Sequence, residues 1–440
     1  METIKTIRLP VTISIAAYVL TTMLGAALLP FQLGRDQAAA FMGYVPPILE
    51  GSTLGSATYW FLLLLYPVVL PVGAMIGARV LGAHRSLVIP PPPLWLPLAL
   101  VAAMIVFCAY RLALNNGLDV SIAWNRSVCY DAKMVRRSAL LQGLGNPFFF
   151  VAFAGLPALT CYLLARGIKQ RERAGLAAFA VALAALLYLD LATLQKAPLM
   201  VLALMLLLTL ILSGWGIVRS CAVVIPAAGL LFIGLSFSQF CTQPAAQWAP
   251  GTTTGQAAPQ SKPFQTAQVL RDLPLQTARS FVFRMAIGFP YYVETFEDPA
   301  ERCGIERSFL ARIVGPQHCS PPQKIFSRVY PSINYAVGYQ PAPVSVSAYA
   351  EAGPWYALLA TLGVGVLIGL IARLASTRDP ISITLLVATC VFGYYAAQAS
   401  LTGALLDSYG IVWLVLPIAA MVAASAAIRR RSVTATLRST

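Results

Sequence analysis

The chain has 440 residues, of which 58% are hydrophobic and only 11% charged, and its mean hydropathy is +0.73. Soluble globular proteins carry about a quarter charged residues, so this composition excludes an ordinary soluble enzyme and points to an all-α, polytopic integral membrane protein. The formal charge of +15 would suit nucleic acid, but the basic residues are scattered among apolar stretches and form no basic domain, so no nucleic-acid partner is expected.

The N-terminal stretch "METIKTIRLPVTISIAAYVL" starts like a signal peptide, yet its apolar run continues to about Phe31 and is long enough to span a bilayer. It is therefore expected as a transmembrane helix, from about 9 to 31. Further spans are predicted at about 57 to 80, 91 to 113 and 141 to 165. Between Arg173 and Arg219 the only charged residues are Asp190 and Lys196, and about 45 residues in one helix would reach roughly 68 Å against a hydrocarbon core of about 30 Å. That segment must turn back on itself. Pro198 suits the first turn of a helix, which places the turn near "TLQKAP" and Lys196 at a membrane surface. Spans follow at about 174 to 194, 198 to 218, 221 to 239, 353 to 373, 380 to 399 and 409 to 428, about ten in all.

Three regions result: residues 1–239 with seven helices and short loops, a loop over 240–352, and residues 353–440 with three helices and a short basic tail. The loop is rich in Pro, Tyr and charge, and at about 110 residues it is expected to contain short helices and to carry the function. Alternate connections collect Arg79 and Arg85, then Arg166, Lys169, Arg171 and Arg173, then Arg219, then Arg373 and Arg378, and finally Arg429, Arg430, Arg431 and Arg438. The positive-inside rule makes those ends and both termini cytoplasmic, and places the Lys196 turn and the long loop outside.

The outer connections nonetheless keep Arg35, Arg111, Arg126, Lys133, Arg136, Arg137 and Lys196, and the loop adds Arg271, Arg279, Arg284, Arg302, Arg307, Arg312, Lys324 and Arg328. Cations at that boundary suit a lipid-linked phosphate or diphosphate, which arginine grips bidentately and lysine grips as a point charge. Alternatively they pair with Asp119, Asp131, Asp272, Glu294, Glu297, Asp298, Glu301 and Glu306, or lie solvated. Lys196 itself is either a phosphate ligand or a side chain snorkelling to headgroups, and Asp190, inside a span, must face the bundle or a wet cavity.

In "TARSFVFRMAIGFPYYVETFEDP" (277–299), a helix over 276–288 is predicted to lie along the interface with Phe281, Met285 and Gly288 on one stripe. Arg279 and Arg284 project about 140° apart on such a helix, so only a break would bring both to one phosphate. Tyr291 and Tyr292 either stack on sugar rings or belong to an aromatic belt.

Of eight cysteines, Cys108, Cys161, Cys221 and Cys390 fall in spans and Cys129, Cys241, Cys303 and Cys319 outside. Four outside allow three pairings, and Cys303 with Cys319, enclosing a short segment in an oxidising compartment, is the expected disulfide. The two histidines, His84 and His318, have no ligand spacing to the cysteines, so no metal is expected. No Walker loop, dinucleotide turn or G-x-S-x-G elbow is present, and no cofactor is expected.

Many spans, one large outer loop in the C-terminal half, the "LQKAPLMVLAL" turn entering a Leu-rich helix, and "YQPAPVSVSAYAEAGPWYALLATLGVGVLIGLI" (339–371) running from the loop into a Gly-rich span together form a recognisable layout. It resembles the bacterial O-antigen and exopolysaccharide repeat-unit polymerases of the Wzy type, which are related to the O-antigen ligases. The resemblance implies a metal-independent, GT-C-like glycosyltransferase, multi-pass in the bacterial inner membrane with its active site facing the periplasm. Its substrate would be an oligosaccharide on undecaprenyl diphosphate, and its partners membrane lipids, a polysaccharide chain-length regulator and a flippase. In that setting Lys196, Arg279, Arg284, Arg312, Arg126 and Arg137 would bind the diphosphate, and Tyr291 and Tyr292 the sugar. One of Glu294, His318 and Glu351 would serve as catalytic base. The alternatives are an O-antigen ligase, another GT-C lipid-linked sugar transferase, or a lipid-linked oligosaccharide flippase or envelope-assembly scaffold. A metal-dependent GT-C enzyme with a lipid monophosphate donor lacks its acidic motif here, because "GRDQ" offers only Asp36.

Overall fold

In hydrocarbon no water satisfies backbone N–H and C=O groups, so each apolar run closes its hydrogen bonds within itself as a helix. The computed structural model describes residues 2–80, 89–121, 130–237, 266–305, 319–330, 339–407 and 409–438, and every regular element among them is helical. Among the described residues nine helices are long and apolar enough to cross a membrane: α1 (Ile7–Leu28), α2 (Ala57–Val80), α3 (Trp95–Leu114), α4 (Arg136–Gln170), α5 (Arg173–Thr193), α6 (Lys196–Ser213), α7 (Ile217–Leu235), α8 (Pro354–Leu374) and α10 (Leu401–Ile428). A shorter apolar helix of 17 residues, α9 (Pro380–Ala396), completes the set. These helices correspond one for one to the expected spans, with ends shifted by up to eight residues, the largest shift being at the start of α10, and the protein is an all-α integral membrane protein.

The shortest helix is also the central one. Helix α9 is apolar on every side because every side is covered, by α1, α4, α6, α8 and α10, and its residues are buried almost throughout. Asp379 starts it by accepting the Ser382 amide at 2.9 Å.

The closest helix crossing is that of α2 with α8, and glycine makes it possible. A Cβ on Gly73 or Gly77 would stand 2.4 or 2.1 Å from the carbonyl oxygens of Leu362 and Val366, and one on Gly365 or Gly369 would stand 2.3 or 2.1 Å from those of Leu70 and Ala74. Each helix thus presents a small-xxx-small pair to the other, which lets two backbones touch where no hydrophobic drive separates protein from lipid. Helix α1 is held beside them by buried hydroxyls: Ser14 Oγ donates to Gly393 O at 2.8 Å, Tyr18 Oη to Leu63 O at 2.9 Å and Tyr59 Oη to Ala26 O at 2.6 Å.

Two of the cations expected outside are consumed by backbone. Helix α4 is interrupted at Gly145 (φ 72°) and Pro147, followed by a π-turn over Val151–Gly155. The freed carbonyls are met by Arg111, whose Nε donates to Leu144 O at 3.1 Å and whose Nη2 donates to Gly143 O at 2.9 Å. Arg136 likewise donates to the carbonyls of Asn116 and Asp119, both at 3.2 Å.

The long connection is packed onto the bundle. Its helix Thr266–Ala286 lies against the second half of α1, so tightly that a Cβ on Gly25 would be 2.2 Å from Val282 O. Of the stripe expected from the sequence, Met285 and Gly288 are buried, together with Phe283 and Ala286, whereas Phe281 is 52% exposed. The buried face of the helix packs against α1. Helices Gly288–Thr295, Pro321–Val329 and Val344–Ala352 then stack beside it, with Phe289 edge-on to Tyr59 of α2 at 5.0 Å.

Candidate functional site

Helix α5 ends at Leu194, which takes a left-handed φ of 51°, and after Gln195 helix α6 begins at Lys196. So tight a turn has no freedom to carry its lysine away from the membrane boundary. Lys196 is half-buried, its ammonium lies 5.4 Å from the centre of the Phe232 ring on α7, and the guanidinium of Arg137 on α4 is within electrostatic reach. Two of the expected cations are therefore within electrostatic reach of each other, although they stand 59 positions apart in sequence on separate helices. Deeper in the same half, Asp190 is only 4% exposed, lies near Phe153, Pro157 and Met205, and is within electrostatic reach of the Tyr409 phenol.

The second assembly is made by the long connection. Helix Val344–Ala352 is buried from Val344 to Glu351, and its C-terminal carbonyls are capped from outside the helix: the Cys303 amide donates to Ala350 O at 3.1 Å and the Gly304 amide to Glu351 O at 2.8 Å. Gly353 leaves the helix at φ 88°, and a Cβ there would be 2.8 Å from an Arg302 nitrogen. Arg302 lies 5.6 Å from the Tyr349 ring centre and donates to Phe296 O at 3.1 Å. A disulfide joins Cys303 to Cys319, with Cα atoms 5.3 Å apart, and fixes this strap. Glu351, 4% exposed, stands in electrostatic contact with the buried phenol of Tyr292.

Near this assembly Tyr44 is within electrostatic reach of Tyr291 and Tyr330, Glu294 of Tyr291, and Arg284 of Tyr330. Tyr44 Oη donates to Val329 O, and Arg328 Nη1 donates to Thr295 Oγ1 at 2.8 Å. Burial pushes the Tyr291 phenol up to about 12, helped by Tyr44 and Glu294. Burial also raises Tyr330, against the opposing influence of Arg284. These phenols are neutral hydrogen-bonding groups at physiological pH.

The structure sorts the expected residues. Lys196 and Arg137 are within electrostatic reach of each other, as are Tyr291 and Glu294, while Arg284 reaches Tyr330; Arg279 turns the other way and donates from Nε to Gln37 Oε1 at 2.9 Å, as the angle between positions 279 and 284 requires. Tyr292 is fully buried and its hydroxyl donates to Gln340 O at 2.9 Å, so its ring has no exposed face for a sugar. Arg126, Arg312 and His318 lie outside the described residues. Sequence reasoning passed over Gln340, which is 2% exposed: it donates its side-chain amide to Arg284 O at 2.8 Å and its backbone amide to Pro322 O at 2.9 Å. A lone polar residue in a Pro-rich stretch gives no signal of that role. The glycine pairs of α2 and α8 did give one, in their four-residue spacing within apolar runs. Among the described residues no three His, Cys, Asp or Glu side chains gather in a metal-holding arrangement. No family model, curated protein or solved structure matches the chain.

Proposed function

We propose that this protein is a Wzy-type polysaccharide polymerase that joins oligosaccharide units carried on undecaprenyl diphosphate at the periplasmic face of the bacterial inner membrane. The observation that supports the reading is Lys196, held by its tight turn at the membrane boundary with Arg137 within electrostatic reach, where the positive-inside rule disfavours cations and where a lipid-linked diphosphate would reside. In the transfer, the bond from the anomeric carbon to the phosphate oxygen breaks and its electron pair goes to the diphosphate. A bond forms from the acceptor hydroxyl oxygen to that carbon, and the hydroxyl proton passes to a carboxylate, Glu351 or Glu294. Cations already in place stabilise the charge that grows on the leaving group without reorganisation, and this contributes much of the rate. The aromatic and charged patch of Tyr44, Arg284, Tyr291 and Tyr330 is suited to the acceptor glycan.

Disruption of the gene tests the proposal directly. Single repeat units capping the lipid in place of long chains are expected, and unchanged chain length in the disrupted strain would overturn it. A scaffold would tolerate alanine at Lys196 and Glu351, whereas a polymerase would lose its chains at normal abundance of the variant proteins.

A further inference from the structure

Helix α7 is held to the bundle mainly through α6, and between it and helices α4, α5 and α6 lies a cavity of about 830 Å³. Its wall is hydrocarbon nearly throughout, with Leu183, Leu187, Leu199, Ala203, Ala228 and Leu231 among its lining residues. The cavity reaches along α5 from Leu176 to Leu187, roughly 16 Å by the helical rise, so it runs with the membrane-spanning direction. One end touches Leu199 and Leu231. Leu199 is one turn beyond Lys196, and Leu231 adjoins Phe232, on whose ring the Lys196 ammonium rests. This end of the cavity therefore lies next to Lys196.

We infer that this cavity holds the hydrocarbon tail of a polyprenyl diphosphate lipid while Lys196 and Arg137 hold its phosphates; the inference rests on the proposed polymerase reading and assigns its donor lipid a place. The volume lies in the range of about 300–1,000 Å³ typical of small-molecule sites, enough for part of one long chain with the remainder in the bilayer. A single elongated cavity beneath two cations matches one chain beneath two phosphates. A phospholipid has two chains beneath one phosphate. The lining also separates this site from a path for sugars, which would need polar groups along it. A tail seated here would hold the anomeric carbon at a fixed depth and angle and so supply the positioning on which the transfer depends.

The test uses the full chain in nanodiscs of phosphatidylethanolamine and phosphatidylglycerol with radiolabelled undecaprenyl diphosphate bearing no sugar. A photo-crosslinking amino acid is placed at Leu183 or Ala228 in the cavity, or at Leu359, a 61% exposed residue of α8 that serves as the control. Labelling of the cavity positions at least tenfold above Leu359 is expected, with a several-fold loss in Lys196→Gln and in the cavity-filling Ala203→Phe. Equal labelling at all three positions would overturn the inference. So would loss of labelling in Arg171→Gln alone, which would put the headgroup at the opposite mouth, or displacement of the probe by phosphatidylglycerol in simple proportion to its amount. Because the probe carries no sugar, the two readings fail separately: cavity labelling in a protein whose disruption leaves long chains intact removes the polymerase and keeps the lipid site, whereas normal polymerisation without cavity labelling does the reverse.

Discussion

Replacing Gly365 by alanine should open the α2–α8 crossing. The added Cβ would lie 2.3 Å from Leu70 O, 2.9 Å from Gly73 Cα and 3.0 Å from the Ala74 amide nitrogen, against an ordinary contact of 3.4 Å or more. All three atoms are backbone, so no rotamer change relieves the clash, and the helices must part by about 1 Å in a densely packed interior. Overpacking of this kind costs about 1–3 kcal/mol, and the rigid neighbour argues for the upper end, near 3 kcal/mol. That is roughly a hundredfold in the folded-to-unfolded ratio. Gly363, two positions away on the same helix, is the control, because a Cβ there meets nothing within 4 Å. Gly363→Ala should be neutral or stabilise by up to about 1 kcal/mol through helix propensity. Both variants can be compared by denaturant unfolding in micelles and by the temperature of aggregation. Wild-type stability of Gly365→Ala, or equal damage from Gly363→Ala, would refute the packing argument.

Four further outcomes are expected. Lys196→Gln should abolish long chains at unchanged abundance while Lys196→Arg retains part of them, as read by polysaccharide chain length and immunoblot; wild-type chains from the glutamine variant would leave Lys196 an anchor only. Cys303→Ser should loosen the strap that caps Val344–Ala352 by about 3 kcal/mol, because the bond closes a loop with a sequence separation of 16, and limited proteolysis near residue 305 should accelerate. Arg111→Ala should lower thermal stability by about 1.5 kcal/mol, since a half-exposed charged donor is lost from the Gly143 and Leu144 carbonyls, with no change in lipid binding. The Tyr291 phenol is raised in the folded state, so its contribution is complete below its unfolded value of about 10 and is lost as pH climbs to about 12. Tyr291→Phe should flatten that alkaline loss in a protease-protection titration, and an unchanged profile would dissociate Tyr291 from it.

What the sequence revealed and what it hid divide along physical lines. Spans were legible because hydrocarbon imposes length and polarity on each helix separately, and the Lys196 turn because no single helix could be so long. Helix α9 was legible as a span but not as the hub, since its uniform apolarity fits a lipid-facing helix as well as a buried one. Arg111 was misleading: topology rules count charges, and they do not see that Gly145 and Pro147 free carbonyls on a neighbouring helix. Tyr292 was ambiguous because a tyrosine with its hydroxyl satisfied buries as readily as it binds a sugar. The angle between Arg279 and Arg284 was available from helical geometry alone, and the two side chains do part, toward Gln37 and Tyr330 respectively.

The two assemblies belong to different halves of the core, and this bears on how a transferase would work. Phe289, Tyr292 and Tyr349 pack in one hydrophobic cluster with α1, α2 and α8, whereas Leu140, Leu186 and Leu202, which flank Arg137, Asp190 and Lys196, pack in another. Helix α9 enters both, through Ile381 on one side and Ile383, Val387 and Val391 on the other. Helices α4, α6 and α10 also contribute buried residues to both clusters, so a carboxylate at Glu351 and cations at Lys196 and Arg137 are positioned relative to each other by the packing of all four helices. The first half is locked by glycine-mediated backbone contact and a disulfide strap, while α7 contributes no buried residue to either cluster and, among the described residues, packs mainly on α6. In the proposed transfer, the looser attachment of α7 would fall where a lipid enters and leaves, and the locked contacts where an acceptor hydroxyl meets its base. A volume change in α9 at Val387 should accordingly disturb transfer more than lipid capture, which separate measurements of chain length and of polyprenyl diphosphate labelling would resolve; equal loss of both would mean that the two halves move as one body.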